Sequence, residues 1–182
     1  MRVVGFVGSP RKNGNTSTIV DKVLEGAKKK GAETKLYYLN DMNIKGCQGC
    51  LYCRKNEKCC VQDDMVKIYD DVKEANALVI GSPVYIHQVS AQTKLLLDRF
   101  YPLTDNEHKP RFGEKKLIMV YTQAAPLKIF FKKYFRYLEK SLEPMGLKKV
   151  SRIVATKCFE KNSTSNNIKI TEKAFKIGAN LV

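Results

Sequence analysis

The sequence predicts a three-layer α/β sandwich, a five-stranded parallel sheet of order 2-1-3-4-5 with helices on both faces. Two observations predict it. Short apolar runs alternate with helix-period segments five times along the 182 residues, and successive strand–helix units build a parallel sheet covered on both sides. The second strand is mixed in polarity, which suits a sheet edge and leaves strands 1, 3 and 4 central.

The elements follow in order. "RVVGFVG" (2–8) is a nearly continuous apolar run, as expected of a strand buried on both faces. Residues 15–30 carry Ile19, Val23 and Ala27 at helical spacing. "TKLYYLN" (34–40) is the mixed edge strand, and a cysteine-rich loop spans 46–62. "DDMVKIYDDVKEA" (63–75) reads as a helix whose orphan amides Asp63 or Asp64 can cap. "NALVIGSP" (76–83) is a buried strand, and "SAQTKLLLDRFY" (90–101) a helix with Pro102 just beyond it. "KKLIMVYTQ" (115–123) is the fourth strand, 127–143 a long helix stopped near "PMG", and "KKVSRIVAT" (148–156) the fifth strand. A polar loop, "EKNSTSNN", leads to a last helix at 166–180. This strand order is the flavodoxin-like arrangement.

A chain of 182 residues with 43% hydrophobic content fits one domain, 1–182, and no repeat, low-complexity tract or linker divides it. No apolar run reaches the ~18 residues of a membrane span. "MRVVGFVG" lacks a signal-peptide core and cleavage site, so it reads as a strand and the expected compartment is the cytoplasm, where thiols stay reduced. The net charge is +15, with 33 Lys+Arg against 18 Asp+Glu. Such a surface attracts acidic partners. The basic residues are scattered over helix faces such as "GAKKKGAE" and "FFKKYFRYLEK", and no nucleic-acid recognition module accompanies them. An acidic protein partner, or a lysine-rich host composition, accounts for the charge better than nucleic acid does.

In open α/β sheets, ligands bind beyond the carboxyl ends of the strands. The first such turn reads "GSPRKNGNTS" (8–17). A Walker A loop needs glycine at 13 and lysine at 14, and the chain has Asn13 and Gly14; the dinucleotide G-x-G-x-x-G is also absent. Ser9, Asn15, Thr16 and Ser17 surround the amino end of the first helix, where backbone N–H groups favour an anion. Arg11 adds a charged donor, and Gly14 is expected to let the backbone turn close to the ligand. Ordinary turn and cap chemistry explains these residue types equally well. The later strand ends favour a ligand. "SPVYIHQVSAQTK" (82–94) puts Pro83, Val84, Tyr85 and Ile86 at the mouth of the sheet, and "YTQAAP" (121–126) adds a small polar loop. A flat ring with a phosphorylated tail would be held this way.

These three segments, at these spacings, resemble the NAD(P)H-dependent FMN reductases and related flavodoxin-fold proteins, from residue 1 to about 155. The resemblance implies FMN, its phosphate on Ser9, Arg11, Asn15, Thr16 and Ser17. It implies an isoalloxazine against Pro83, Val84, Tyr85 and Ile86 and against Thr122, Gln123 and Ala124, with NAD(P)H as a possible donor. The chain departs from the family at Ile86-His87, where an aromatic or small residue followed by glycine is frequent, and at Ala124-Ala125, where a glycine-containing pair is.

Five of the six cysteines lie in "CQGCLYCRKNEKCC" (47–60). The spacing Cys47-x2-Cys50-x2-Cys53-x5-Cys59, with Cys60 adjacent, suits a soft metal centre. Three ligands in seven residues fit an iron–sulfur cube better than zinc, whose ligand pairs usually stand a dozen or more residues apart. Gly46 and Gly49 would let the loop curl inward. Free buried thiols or opportunistic disulfides are the plainer alternatives. Within the same fold, the iron–sulfur flavoproteins carry a C-x2-C-x2-C-x4–7-C motif after strand 2, which this loop resembles. That resemblance implies a [4Fe–4S] cluster on Cys47, Cys50, Cys53 and Cys59, electron transfer with FMN, and a homodimer or homotetramer joining the two centres across subunits. Cys60 is the substitute fourth ligand. Cys158 reads as a small hydrophobe, and His87 and His108 as surface or loop residues.

Three functions follow as expectations. The first is a two-centre redox protein serving a small or acidic, ferredoxin-like carrier. The second is an NAD(P)H-dependent FMN or quinone reductase with incidental cysteines. The third is a non-catalytic binding protein whose loop is braced by zinc.

Overall fold

The computed structural model describes residues 1–182. Strands β1 (Arg2–Val7), β2 (Glu33–Tyr38), β3 (Ala77–Tyr85), β5 (Lys115–Thr122) and β6 (Leu147–Ala155) form the parallel sheet in the order β2-β1-β3-β5-β6. This is the expected 2-1-3-4-5 topology once the added two-residue strand β4 (Gln88–Val89) is set aside; β4 turns back on the end of β3 as a hairpin. The mixed strand β2 does lie at one edge.

Alternate residues along each strand point to opposite faces. Val3 and Val7 of β1, Val79 of β3 and Ile118 and Val120 of β5 pack with Val20, Val23 and Ala174. These last belong to α1 (Asn15–Lys29) and α6 (Ile168–Ala179), which cover that face. Val4, Phe6, Leu78, Ile80, Met119 and Tyr121 pack on the other face with Ile68, Leu96 and Phe135. Those lie on α3 (Met65–Glu74), α4 (Ala91–Asp98) and α5 (Lys132–Ser141). On the first face α1 and α6 approach so closely that a methyl group on Gly178 would lie 1.8 Å from the Val23 carbonyl oxygen.

Two elements differ from expectation. The helix expected at 127–143 begins only at Lys132. The Gln123 side-chain amide donates to the carbonyls of Ala125 (3.3 Å) and Leu127 (3.0 Å), which holds that stretch in turns. The cysteine segment contains a four-residue helix, α2 (Tyr52–Lys55), entered through Leu51 in the left-handed conformation. No helix is long and apolar enough to cross a membrane.

Candidate functional site

The turn after β1 enters α1 at Gly14, which has no side-chain cap. Gly14 itself is extended (φ −94°), and the left-handed residue is Asn13 (φ 54°). The freedom expected of Gly14 is therefore not what the turn uses; a Cβ there would instead press on the Arg11 carbonyl oxygen at 3.0 Å. The N–H groups of Asn15, Thr16 and Ser17 meet no protein acceptor, although all three residues are buried. Such unpaired first-turn donors, at the positive end of the helix dipole, favour an anion.

A cleft of about 230 Å³ opens over these amides. It brings together Ser9, Arg11, Asn15 and Thr16 from the first turn, Pro83, Val84 and Tyr85 from the end of β3, and Thr122 and Ala124 from the end of β5. Its charged lining residues, Arg11 and Lys161, are both cations. The Thr16 and Thr122 hydroxyls meet at 2.8 Å and tie the floor together. Three expected residues do not line it. Ser17 is fully buried and donates to the Gly14 carbonyl; Gln123 is buried and spent on the loop that follows it; Ile86 is 91% exposed. The Asn15 side chain lines the cleft but is also engaged, donating to the Glu160 carbonyl at 2.6 Å and accepting from the Thr164 N–H at 2.9 Å.

Those two bonds draw in a wall that the sequence reading did not anticipate. Cys158, Phe159 and Lys161, after β6, all line the cleft. The only signal was a polar loop following a strand end. Burial pushes the Cys158 thiol up to about 11, consistent with an inert wall residue.

Ile86 and His87 form a two-residue hairpin between β3 and β4, both with positive φ (43° and 65°). Such turns favour Asn-Gly, and a β-branched residue there is strained. Ile86→Asn should therefore raise the stability of the metal- and flavin-free protein by ~1 kcal/mol, read as a higher denaturant midpoint at unchanged slope. A lower midpoint would mean that Ile86 makes a stabilising contact in solution.

The cysteine loop has a pinned neck. Arg99, just past α4, is buried, and its guanidinium holds the equally buried Asp63 carboxylate through two bonds, at 2.5 and 3.1 Å. The same guanidinium donates to the carbonyls of Lys45 (2.8 Å) and Val61 (3.4 Å), the two flanks of the loop. Asp63 also accepts from the N–H groups of Lys45 and Met65, so it is Asp63 rather than Asp64 whose side chain caps α3. Burial pushes the Asp63 carboxyl up, but Arg99 and the two N–H groups more than reverse this and hold it below its ordinary value. Within the loop, Arg54 donates to Thr104 and Asp105, and Arg111 to the Cys53 carbonyl, fastening α2 to the segment after α4.

Cys47, Cys50, Cys53 and Cys59 line one predominantly apolar cavity of about 150 Å³, beside Tyr69 and Pro102. Cys60 is not part of this lining; its sulfur faces that of Cys50. Four cysteines lining one apolar cavity supply the donor type that an iron–sulfur cluster takes. The sulfurs are not gathered to metal-binding distance, since no three His, Cys, Asp or Glu side chains form such a group. Gly49 has positive φ (62°), as a curled loop needs, whereas Gly46 is not in that region.

The NADPH-dependent FMN reductase family model matches residues 1–127, which include both the first turn and the hairpin. The chain belongs to the NADPH-dependent FMN reductase family. Among curated proteins, an iron–sulfur flavoprotein of Methanocaldococcus jannaschii is 43% identical over 57% of this chain and 53% of its own length. One from Methanosarcina thermophila is 36% identical over 54% of this chain and 52% of its own length. The chain thus spans about half the length of these curated relatives. Solved structures show the same fold. An NAD(P)H:quinone oxidoreductase from Methanothermobacter marburgensis superposes with a TM-score of 0.74 at 15% identity, covering 100% of this chain and 96% of the other. An archaeal flavodoxin superposes at 0.58 and 13% identity, covering 100% and 96%. This FMN reductase family member therefore has the flavodoxin-like architecture expected from its strand order.

Proposed function

We propose that the chain is a two-centre redox protein that holds FMN in the cleft at 8–17, 82–85 and 122–124 and a [4Fe–4S] cluster on Cys47, Cys50, Cys53 and Cys59. The observation that carries the reading is the pairing of a cationic cleft over unpaired helix amides with a second cavity lined by four thiols. When bound, FMN supplies two-electron and a cluster one-electron chemistry. In this reading Ser9, Arg11 and the first α1 amides hold the phosphate, while Pro83, Val84, Tyr85 and Ala124 flank the ring. Ser17 and Gln123 act by fixing the turns behind these contacts. Iron and acid-labile sulfide, assayed beside flavin in anaerobically prepared protein, test the pair of cofactors directly.

The phosphate assignment has its own test. Arg11→Ala should weaken FMN binding by ~1 to 3 kcal/mol through loss of a charged donor and leave riboflavin unaffected. Equal losses for the two ligands would place the phosphate elsewhere.

The match of the NADPH-dependent FMN reductase family model over residues 1–127 favours a second reading, an NAD(P)H-dependent FMN or quinone reductase without a cluster. The six free cysteines suit a reducing compartment such as the cytoplasm. Exposed Ile86, Leu127, Ile129, Phe130 and Phe159 follow the strand ends that form the cleft, among Lys128, Lys132 and Lys161. This rim suits a redox partner with an acidic face. Reduction by an acidic carrier protein should then slow steeply with salt, while a small neutral donor is unaffected. A salt-independent rate with the acidic carrier would leave the charge without a docking role.

A further inference from the structure

The fifth cysteine of the loop has a different neighbour from the other four. Cys60 Sγ lies 3.4 Å from Cys50 Sγ, the only thiol–thiol hydrogen-bond contact in the chain, and both side chains are exposed. A disulfide needs its sulfurs ~2.0 Å apart, so a modest side-chain movement separates contact from bond. Both residues also lie between Lys45 and Val61, the flanks that Arg99 already holds together. The loop is closed before any cross-link forms, which lowers the entropic cost of making one. Cys50 faces two ways, lining the four-thiol cavity and touching Cys60 outside it.

We propose that Cys50 and Cys60 form a dithiol site for low-molecular-weight disulfides, and that the bond formed there excludes metal from the loop. In the first step one of the two cysteines, as thiolate, attacks the small disulfide, forms a mixed disulfide and releases one small thiolate. In the second, the other cysteine attacks the protein sulfur of that mixed disulfide and expels the second small thiolate. The sum is two cysteine thiols and one small disulfide giving one Cys50–Cys60 disulfide and two small thiols. Two electrons pass to the small molecule, and the two cysteine protons end on its sulfurs. A sulfur bound in a disulfide is no longer a thiolate and cannot ligate iron. The loop thus has two mutually exclusive fates that share Cys50. The exclusion rests on the cluster reading above; the dithiol reaction does not.

The test uses reduced, metal-free full-length protein treated anaerobically with oxidised glutathione. Two of the six thiols should be lost and recovered with dithiothreitol. Trypsin cuts at Arg54, Lys55 and Lys58, so the bond should join the peptide of Cys47, Cys50 and Cys53 to that of Cys59 and Cys60. This cross-link should persist in Cys47→Ser, Cys53→Ser and Cys59→Ser and vanish in Cys50→Ser and Cys60→Ser, with glutathione retained on the surviving partner. Oxidised wild type should take up iron and sulfide only at background, and re-reduced wild type should recover uptake. Six unchanged thiols, a different pairing, or undiminished iron uptake by the oxidised form of a protein that loads iron when reduced would overturn the proposal. Formation of the Cys50–Cys60 bond in a protein whose reduced form refuses iron would overturn the cluster reading and leave the dithiol site standing.

Discussion

Arg99→Met should destabilise the protein by ~3 to 5 kcal/mol at neutral pH, the cost of leaving one member of a buried ion pair alone. The guanidinium has two tasks, and both are lost. It neutralises Asp63, whose side chain is fully buried, and it spans the loop neck through the Lys45 and Val61 carbonyls. Methionine fills similar space but donates nothing. The pH dependence identifies the cause. In the wild type the Asp63 carboxyl is held below its ordinary value, so its stabilisation is complete above the unfolded carboxylate range and is lost as pH falls through the folded value. Without Arg99 that depression is removed. The gap between wild type and variant should therefore narrow as pH falls through about 4. Denaturant midpoints at neutral and acid pH measure it. A gap that stays constant with pH would assign the loss to packing rather than to the stranded carboxylate.

Cys53→Ser should remove iron and acid-labile sulfide from the anaerobic protein while leaving FMN bound. Cys47→Ser, Cys50→Ser and Cys59→Ser should do the same. All four line one cavity, and a cluster held by cysteine thiolates loses a ligand in each case. The cleft at the first turn shares no lining residue with that cavity, so flavin content should be unchanged. Cys60→Ser and Cys158→Ser should keep full iron; Cys60 lies outside the cavity, and Cys158 belongs to the other cleft. Full iron in Cys59→Ser together with its loss in Cys60→Ser would exchange the fourth ligand. A wild type with full FMN but no iron or sulfide, refractory to reconstitution, would leave the simple flavin reductase as the function.

Features written in consecutive residues were legible from the chain alone. The apolar run of Val3 to Val7 announced a buried central strand, and the mixed character of 34–40 announced an edge. The spacing of Cys47, Cys50 and Cys53 singled out the loop before any contact was known. Periodicity, turn chemistry and ligand spacing act over a few residues, so they can be read without knowing what lies across the fold. The late start of α5 escaped that reading because a side chain from the end of β5, Gln123, competes for the carbonyls of the segment after it.

What the sequence by itself determined was the sheet order, the first-turn donors and the four thiols within one short loop. Tertiary structure alone decided which of these residues meet. Arg99 is 54 residues from Lys45, and Asn15 is 149 from Thr164, yet these contacts pin the loop neck and bring Cys158, Phe159 and Lys161 to the cleft. It also decided that Cys60 faces Cys50 instead of the cavity, a matter of loop path that adjacency to Cys59 does not specify. The physical reason is that a hydrogen bond or ion pair between distant segments depends on the backbone path between them. No local preference encodes that path; packing the helices on the two faces of the sheet fixes it.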